Sequence, residues 1–290
     1  MTAMDLDVLA TDGVFTAASA VAAGISGGEL RRAERAGLCH RLVRGWYAVG
    51  TAGDPRNEHR LRTIALVRHL PGVCASHHSR LVLADLPTLR ADLAVVHLTR
   101  LADAHSRHRR GAVIHPRLDG TVSLAQAVVQ TGQLNGPDDA LVAADAALHR
   151  CLMTADELGG AVERFRGHPH VAAVRRVLRL ADGRAESPGE SLLRRILIDA
   201  GIAVTPQLTV HDGPISWRAD LVVDGTPVLV EFDGLMKYGG SEDLVAEKRR
   251  EDRLRALGYT VVRVTWSDLR HPERVAAEVR RAVARSRAAA

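Results

Sequence analysis

Apolar and polar positions change period several times along the chain, and the changes divide it into three blocks. In the first, from about Leu6 to Val49, helical spacing covers Leu6–Asp12, Thr16–Ala23 and Gly28–Ala36, with a turn at Gly24-Ile25-Ser26 before the third helix. Ser26 or Gly27 can cap that helix, and Gly37 stands where a C-terminal glycine would end it. Leu42-Val43 and Trp46–Val49 then flank Arg44-Gly45, a two-residue loop of hairpin type. Three short helices followed by a hairpin is the order of a winged helix-turn-helix.

After a loop at Thr51–Asn57 the pattern becomes mixed α/β, from about Arg60 to Leu158. Val95–Thr99 and Ala112–Ile114 read as strands around a basic, polar stretch, Arg100–Arg110; Asp138–His149 and Thr154–Phe165 read as helices. A polar gap at Asp182–Glu186 precedes the third block. Its first helix opens on Ser187-Pro188-Gly189-Glu190, with serine as N-cap, proline in the first turn and glutamate three residues on. Leu192, Leu193, Ile196 and Leu197 form its apolar face, and Gly201 ends it. Strands are expected at Ala203–Val210, Ser216–Val223, Pro227–Asp233 and Tyr259–Trp266. Helices are expected at about Asp243–Leu257 and Pro272–Arg285, which gives the order α-β-β-β-α-β-α.

The 290 residues suit two or three domains, and the apolar share of 46% is enough to build real cores. The expected division is 1–55, 56–180 and 181–290. No run of 18 apolar residues is present to span a membrane, and the N-terminus shows no secretory pattern, so a cytoplasmic protein is expected. Cys39, Cys74 and Cys151 are far apart, form no CxxC pair, and read as reduced, core-filling thiols. A net charge of +5 is compatible with nucleic acid but decides nothing alone. The chain contains no Gly-rich phosphate loop, GxSxG elbow or HExxH, which leaves nucleotide hydrolysis, esterase and zinc-protease chemistry without support. Among 14 histidines, His77-His78, His105 and His108 stand out, yet none has metal-ligand spacing with carboxylate partners; His105–Arg110 reads as an exposed basic loop.

The chemistry concentrates in the third block. Strand alternation puts Val228, Val230 and Phe232 on one face and Glu231 with Asp233 on the other. Asp224-Gly225 signals a tight hairpin, which sets Asp220 of the preceding strand against Leu229 and diagonal to Glu231. Carboxylates grouped on otherwise apolar strands call for compensation, and a divalent cation with hard oxygen ligands, Mg²⁺ or Mn²⁺, supplies it. Lys237 and Lys248 are the only lysines in an arginine-rich chain, and both follow the carboxylates closely; arginine cannot act as a base of lowered pKa. Against this, Glu190 can equally be half of a capping box, Asp233-Gly234 a plain turn, and Glu247–Arg253 a solvated helix face.

Asp220, Glu231-Phe232-Asp233-Gly234, Lys237-Tyr238, Glu247–Asp252, Leu257-Gly258-Tyr259 and Val262–Trp266 together resemble the very-short-patch-repair-like endonuclease domains of the PD-(D/E)XK superfamily. The resemblance implies a restriction-endonuclease-like α/β/α core in which Asp220 and Glu231 hold metal and Glu190 assists. That pattern has lysine two residues after the glutamate; here Asp233 stands there, so the lysine role would pass to Lys237 or Lys248, or a third carboxylate would serve. Gly24-Ile25-Ser26, Leu30-Arg31-Arg32, Gly37-Leu38 and Arg41–Tyr47, with Ala75–Ser79 and Ala144–Leu148, are similar to AbiEi-type antitoxins. This second resemblance implies double-stranded DNA as a partner and a toxin as another. Arg31, Arg32 and Arg35 would then reach DNA from the third helix, and Arg41 and Arg44 from the wing. Three readings stand open: a DNA-directed metal-dependent endonuclease, an antitoxin-like regulator whose nuclease fold no longer cuts, and, behind both, a protein-interaction module that neutralises a partner enzyme.

Overall fold

The computed structural model describes residues 3–102, 105–118, 120–234 and 241–289, and the side chains of 3, 4, 109, 241–248 and 289 stand outside that description. In chain order the elements are α1 (Ala3–Asp7), β1 (Val14–Thr16), α2 (Ala17–Ala22), α3 (Gly27–Arg35), β2 (Cys39–Val43), β3 (Trp46–Val49), α4 (Pro55–His69), β4 (Val73–Ala75), α5 (His77–Leu83), β5 (Val96–Arg100), β6 (Arg107–Arg109), β7 (Ala112–His115), α6 (Leu124–Asn135), α7 (Pro137–His149), α8 (Ala155–Arg164), α9 (Val171–Leu178), α10 (Pro188–Asp199), β8 (Val204–Asp212), β9 (Ile215–Val223), β10 (Val228–Asp233), α11 (Ser241–Ala256), β11 (Thr260–Thr265) and α12 (Pro272–Ala289). The protein is mixed α/β and divides into two compact units, Met1–Asp139 with Gly160–Gly167, and Ala140–Gly159 with His168–Ala290.

In the first unit, α2 and α3 each begin with a reciprocal capping box, Thr16 with Ser19 and Ser26 with Glu29. Their buried faces join Leu6, Phe15, Cys39 and Tyr47 over a small sheet of order β1-β3-β2. A second sheet, β4-β5-β7-β6, pairs β5 and β7 in parallel. Val96, Leu98, Ala112 and Ile114 fill the core on one of its faces. The alternation therefore turns His97, Thr99, Val113 and His115 to the other face, where α5 packs against β5.

Expectations about several elements need correction in this unit and the next, beginning with three. Arg107–Arg109 is a strand, not a loop: Gly111, at φ 71°, closes a two-residue turn with Arg110 that folds the basic segment back onto β7. The Thr51–Asn57 segment is half helix, because Asp54 caps α4 and Pro55 occupies its first turn, a start signal that had read as loop punctuation. Cys151 is exposed, so it is no core thiol, whereas Cys39 is buried.

In the second unit a four-stranded sheet has order β11-β10-β9-β8, with β10 and β11 parallel and the other pairs antiparallel. One face carries Leu193 and Leu197 of α10, Val275 and Val279 of α12, and Leu221, Val223, Val228, Val230, Val262 and Val264 of the strands. The opposite face gathers Leu254 of α11 with Val210, Ala219 and Leu229. Helix α10 is fixed by a buried ion pair, Arg194 Nη2 to Asp145 Oδ2 at 2.7 Å. Among the described residues no helix is long and apolar enough to cross a membrane.

Candidate active site

The first turn of α10 descends onto β10 because Gly189 lets it. A Cβ there would lie 2.0 Å from the Phe232 ring, so any other residue forces a shift. Ser187 Oγ accepts the Glu190 N–H, and the helix begins. Glu190 is 9% exposed, and its carboxylate accepts from Gln207 Nε2 at 2.9 Å and from the Glu186 amide at 3.1 Å. The bland capping reading thus holds only in part: the carboxylate turns to a neighbouring strand as well as to the backbone before the cap.

Gln207 and Asp220 sit where the β8–β9 hairpin changes sides. Val204, Leu221 and Val223 pack in one core; Leu208, Val210, Trp217 and Ala219 pack in the other. Residues of one parity can serve both cores only if the ribbon rotates between them, and Gln207 takes the rotation in a left-handed conformation, φ 60°. On the β10 side, paired positions run Leu229↔Val222 and Val230↔Leu221 and then stop. Continued one step, that register sets Asp220 beside Glu231. The expected pairing of Asp220 with Leu229 is therefore two residues out. The connection is four residues long, since Thr226 folds back on the Val223 carbonyl and Pro227 has no N–H for the ladder. A shift of two preserves the face, so the expected meeting of Asp220 and Glu231 survives the error in register.

Where the ladder stops, Asp220 Oδ2 accepts the Phe232 N–H at 2.7 Å. Burial pushes the Asp220 carboxyl up to about 6. The Phe232 amide opposes that rise, the charges of Glu190 and Glu231 add to it, and Arg250 works against it. Three carboxylates from α10, β9 and β10 thus act on one another. Glu231, half-buried, is gripped by Arg250 of α11 through two bonds, Nη2 to Oε1 at 2.5 Å and Nη1 to Oε2 at 3.4 Å. Arg250 also donates to the Arg218 carbonyl at 3.3 Å. Arg250 was concealed in a run that read as a solvated helix face. Its signal is the i, i+4 spacing to buried Leu254, which turns it toward the sheet.

Asp233 ends β10, half-buried and opposite Thr265. Lys237 lies outside the described residues, as does the side chain of Lys248.

No family model matches the chain. Two uncharacterized proteins of Mycobacterium tuberculosis, Rv2248 and MT2308, are each 33% identical to it over 188 residues, covering 63% of this chain and 69% of theirs. The chain belongs to their family. The catalytic domain of homing endonuclease I-Bth0305I aligns with 34% of this chain and 95% of its own, at 18% identity and a TM-score of 0.29, a likeness too slight to carry an argument.

In this family member the five arginines singled out near the N-terminus are all exposed. Leu30 and Ala33 bury one face of α3, which leaves Arg31, Arg32 and Arg35 on the outer face; Arg35 Nε caps back on the Arg31 carbonyl at 3.4 Å. Arg41 lies on β2 and Arg44 in the turn to β3. The histidines correct the sequence reading more sharply. His77, His97 and His115, whose spacing showed no metal site, are brought together by α5, β5 and β7.

Proposed function

We propose that residues 181–290 form a metal-dependent endodeoxyribonuclease of PD-(D/E)XK type, delivered to double-stranded DNA by the N-terminal residues 1–55 acting as a winged helix, with 56–180 as an antitoxin-like middle domain. The observation that carries this reading is Asp220: a buried carboxyl at the break in a sheet ladder, its proton affinity raised by burial and by two further carboxylates. Such crowding is unfavourable without a cation, and the donors are hard oxygens, the set that Mg²⁺ or Mn²⁺ takes. Among the described residues, the hydrogen bonds to Asp220 and to Glu190 each fall on one oxygen, which leaves a second to offer; Glu231 would complete the set. A bound divalent cation would lower the pKa of a water and offset charge on the phosphate.

The chain's own part is to hold and orient. Phe232 N–H fixes Asp220, and Gln207 fixes Glu190. Arg250 keeps Glu231 satisfied between substrates and, once phosphate arrives, can exchange that carboxylate for the scissile group. Water adds to phosphorus as its proton passes to a base, for which Lys248 and Lys237 are the candidates; the bond from phosphorus to a deoxyribose oxygen breaks, and that oxygen takes a proton from solvent to leave as a hydroxyl. Asp233 occupies the place a lysine would take. Arg31, Arg32, Arg35, Arg41 and Arg44 would meet phosphates or base edges.

The Arg250 fork supports a second reading. A carboxylate held at both oxygens by a guanidinium is an ion pair already complete, as expected of an antitoxin-like regulator that binds DNA, and a toxin, without cutting. Supercoiled plasmid with Mg²⁺ or Mn²⁺ separates the two. Nicking that disappears in both Asp220→Ala and Glu231→Ala supports the nuclease. Salt-sensitive duplex binding without any nicking gives the case to the regulator.

A further inference from the structure

We propose that His77, His97 and His115 form a site for a first-row transition cation, with Zn²⁺ as the reference ion, bound by three imidazole nitrogens and one exchangeable ligand. One ring nitrogen from each of the three histidines lies within 4.8 Å of the others. His97 Nδ1 and His115 Nε2 are 2.8 Å apart, and the His77 and His115 rings stack at 4.0 Å. Ligand nitrogens in a tetrahedral zinc site stand about 3.3 Å apart, given zinc–nitrogen bonds of about 2.0–2.1 Å. Closing on an ion therefore asks for side-chain adjustments, not a rearrangement of the sheet.

The backbone fixes where these rings stand. In the parallel register His97 faces Val113 and His115 faces Thr99, which makes the two histidines diagonal neighbours on the face away from the apolar core. Entry into α5 clamps His97 from both sides: Ser76 N–H donates to the His97 carbonyl at 3.0 Å, and the His97 N–H donates to Ser79 Oγ at 2.8 Å. His77 begins α5 at φ 50°, an uncommon conformation for a non-glycine residue, and its N–H donates to Gln130 Oε1. Ser76 Oγ lies 3.0 Å from His77 Nδ1, a partner of the kind that orients a ligating imidazole and leaves Nε2 to the metal.

Beside the three rings, Thr99 Oγ1 and His78 Nδ1 are buried without a hydrogen-bond partner among the described residues. Imidazole donors exclude Mg²⁺ and Ca²⁺ as the preferred ions and suit Zn²⁺, Cu²⁺, Ni²⁺ and Co²⁺. This site is separate in residues and in chemistry from the carboxylate cluster and does not depend on the nuclease reading.

The 290-residue chain, stripped with chelator and dialysed, should bind one Co²⁺ with visible absorption bands of nitrogen-ligated, four- or five-coordinate cobalt, and Zn²⁺ should bleach them. X-ray absorption at the zinc edge should show the outer-shell scattering of three imidazoles. Zn²⁺ affinity should fall at least about tenfold in His115→Gln and in His97→Gln and stay unchanged in Glu231→Ala. Failure to bind either ion saturably overturns the proposal, and the histidines are then a hydrogen-bonded core. An oxygen-only shell, or unchanged affinity in His115→Gln, overturns it too. The wild-type spectra decide the matter even if His97→Gln does not fold.

Discussion

The two clusters show the same physics with opposite sign. In one, carboxylates from α10, β9 and β10 crowd together, and burial raises the Asp220 carboxyl to about 6. In the other, imidazoles from α5, β5 and β7 crowd together, and burial lowers His97 to about 3. Desolvation opposes the charged form of either group. For an acid this leaves a site hungry for positive charge, and for a base it leaves neutral donors. The first environment therefore fits a hard cation and the second a borderline one. The lesson is that burial selects the chemistry of the guest before any guest arrives.

A third buried ionisable group tests how far cations are needed at all. Asp145 is 1% exposed, and its charge is met inside the protein by Arg194 and by the Asp182 amide at 2.7 Å. Asp145→Ala, which strands Arg194, should cost about 3–5 kcal/mol in chemical denaturation. Replacing both partners with apolar residues of matched size should cost far less. A loss below about 1 kcal/mol for Asp145→Ala would show that Arg194 finds water, and that buried charge here needs no partner of any kind.

Next in size is the response to acid of the chelated, metal-free protein. The neutral histidines titrate near 6.5 when unfolded but at about 4 (His59), 3 (His97) and 4 (His115) in the fold. The unfolded chain thus binds more protons below pH 6.5, and stability falls from there toward pH 4, by something on the order of 2 kcal/mol for each of the three groups at pH 5. Asp220 runs the other way. Its folded pKa, about 6, lies above the ordinary 3.8, so the folded chain takes the proton first and stability recovers as pH falls through that window. Hydrogen exchange should therefore show β5 and β7 losing protection between pH 7 and 5 while β10 keeps it. Equal loss in both sheets would erase the contrast.

Gly189→Ala probes the approach that builds the acid cluster. Its methyl group meets the Phe232 ring, so a destabilisation of about 1–3 kcal/mol is expected, with weaker nicking as Glu190 withdraws. An unchanged melting curve would mean that Phe232 swings aside freely and that α10 does not depend on this contact.

Much of the acid site was legible in the sequence and the histidine site was not, for a reason rooted in topology. Asp220 and Glu231 lie on strands joined by a short connection, so alternation and a turn signal suffice to bring them together, even with the register two residues out. The order of elements around them follows from caps and periodicity, as with Ser187 and Pro188 at the start of α10. His77, His97 and His115 come from segments related by a parallel pairing, β5 with β7, around an intervening hairpin strand, β6. Local spacing carries no record of such a pairing. Arg250 and Gln207 were hidden for a third reason: their roles depend on a helix face and on one left-handed residue, which period alone does not specify.

The smallest expected effect separates function from stability at Asp220. Asp220→Asn keeps an oxygen for the Phe232 N–H and removes the charge that Glu190 and Glu231 oppose. At pH 7 the wild-type carboxyl is ionised against its surroundings, so the variant should be more stable by roughly 1–2 kcal/mol, a figure reduced for the partial exposure of the group. The gain should shrink as pH falls from 6 toward 4, where the wild-type carboxyl is itself protonated, while nicking should be lost at every pH. Destabilisation at pH 7 would mean that the ionised carboxylate is already compensated by Arg250 and the Phe232 amide, and the case for a cation at this position would lose its physical ground.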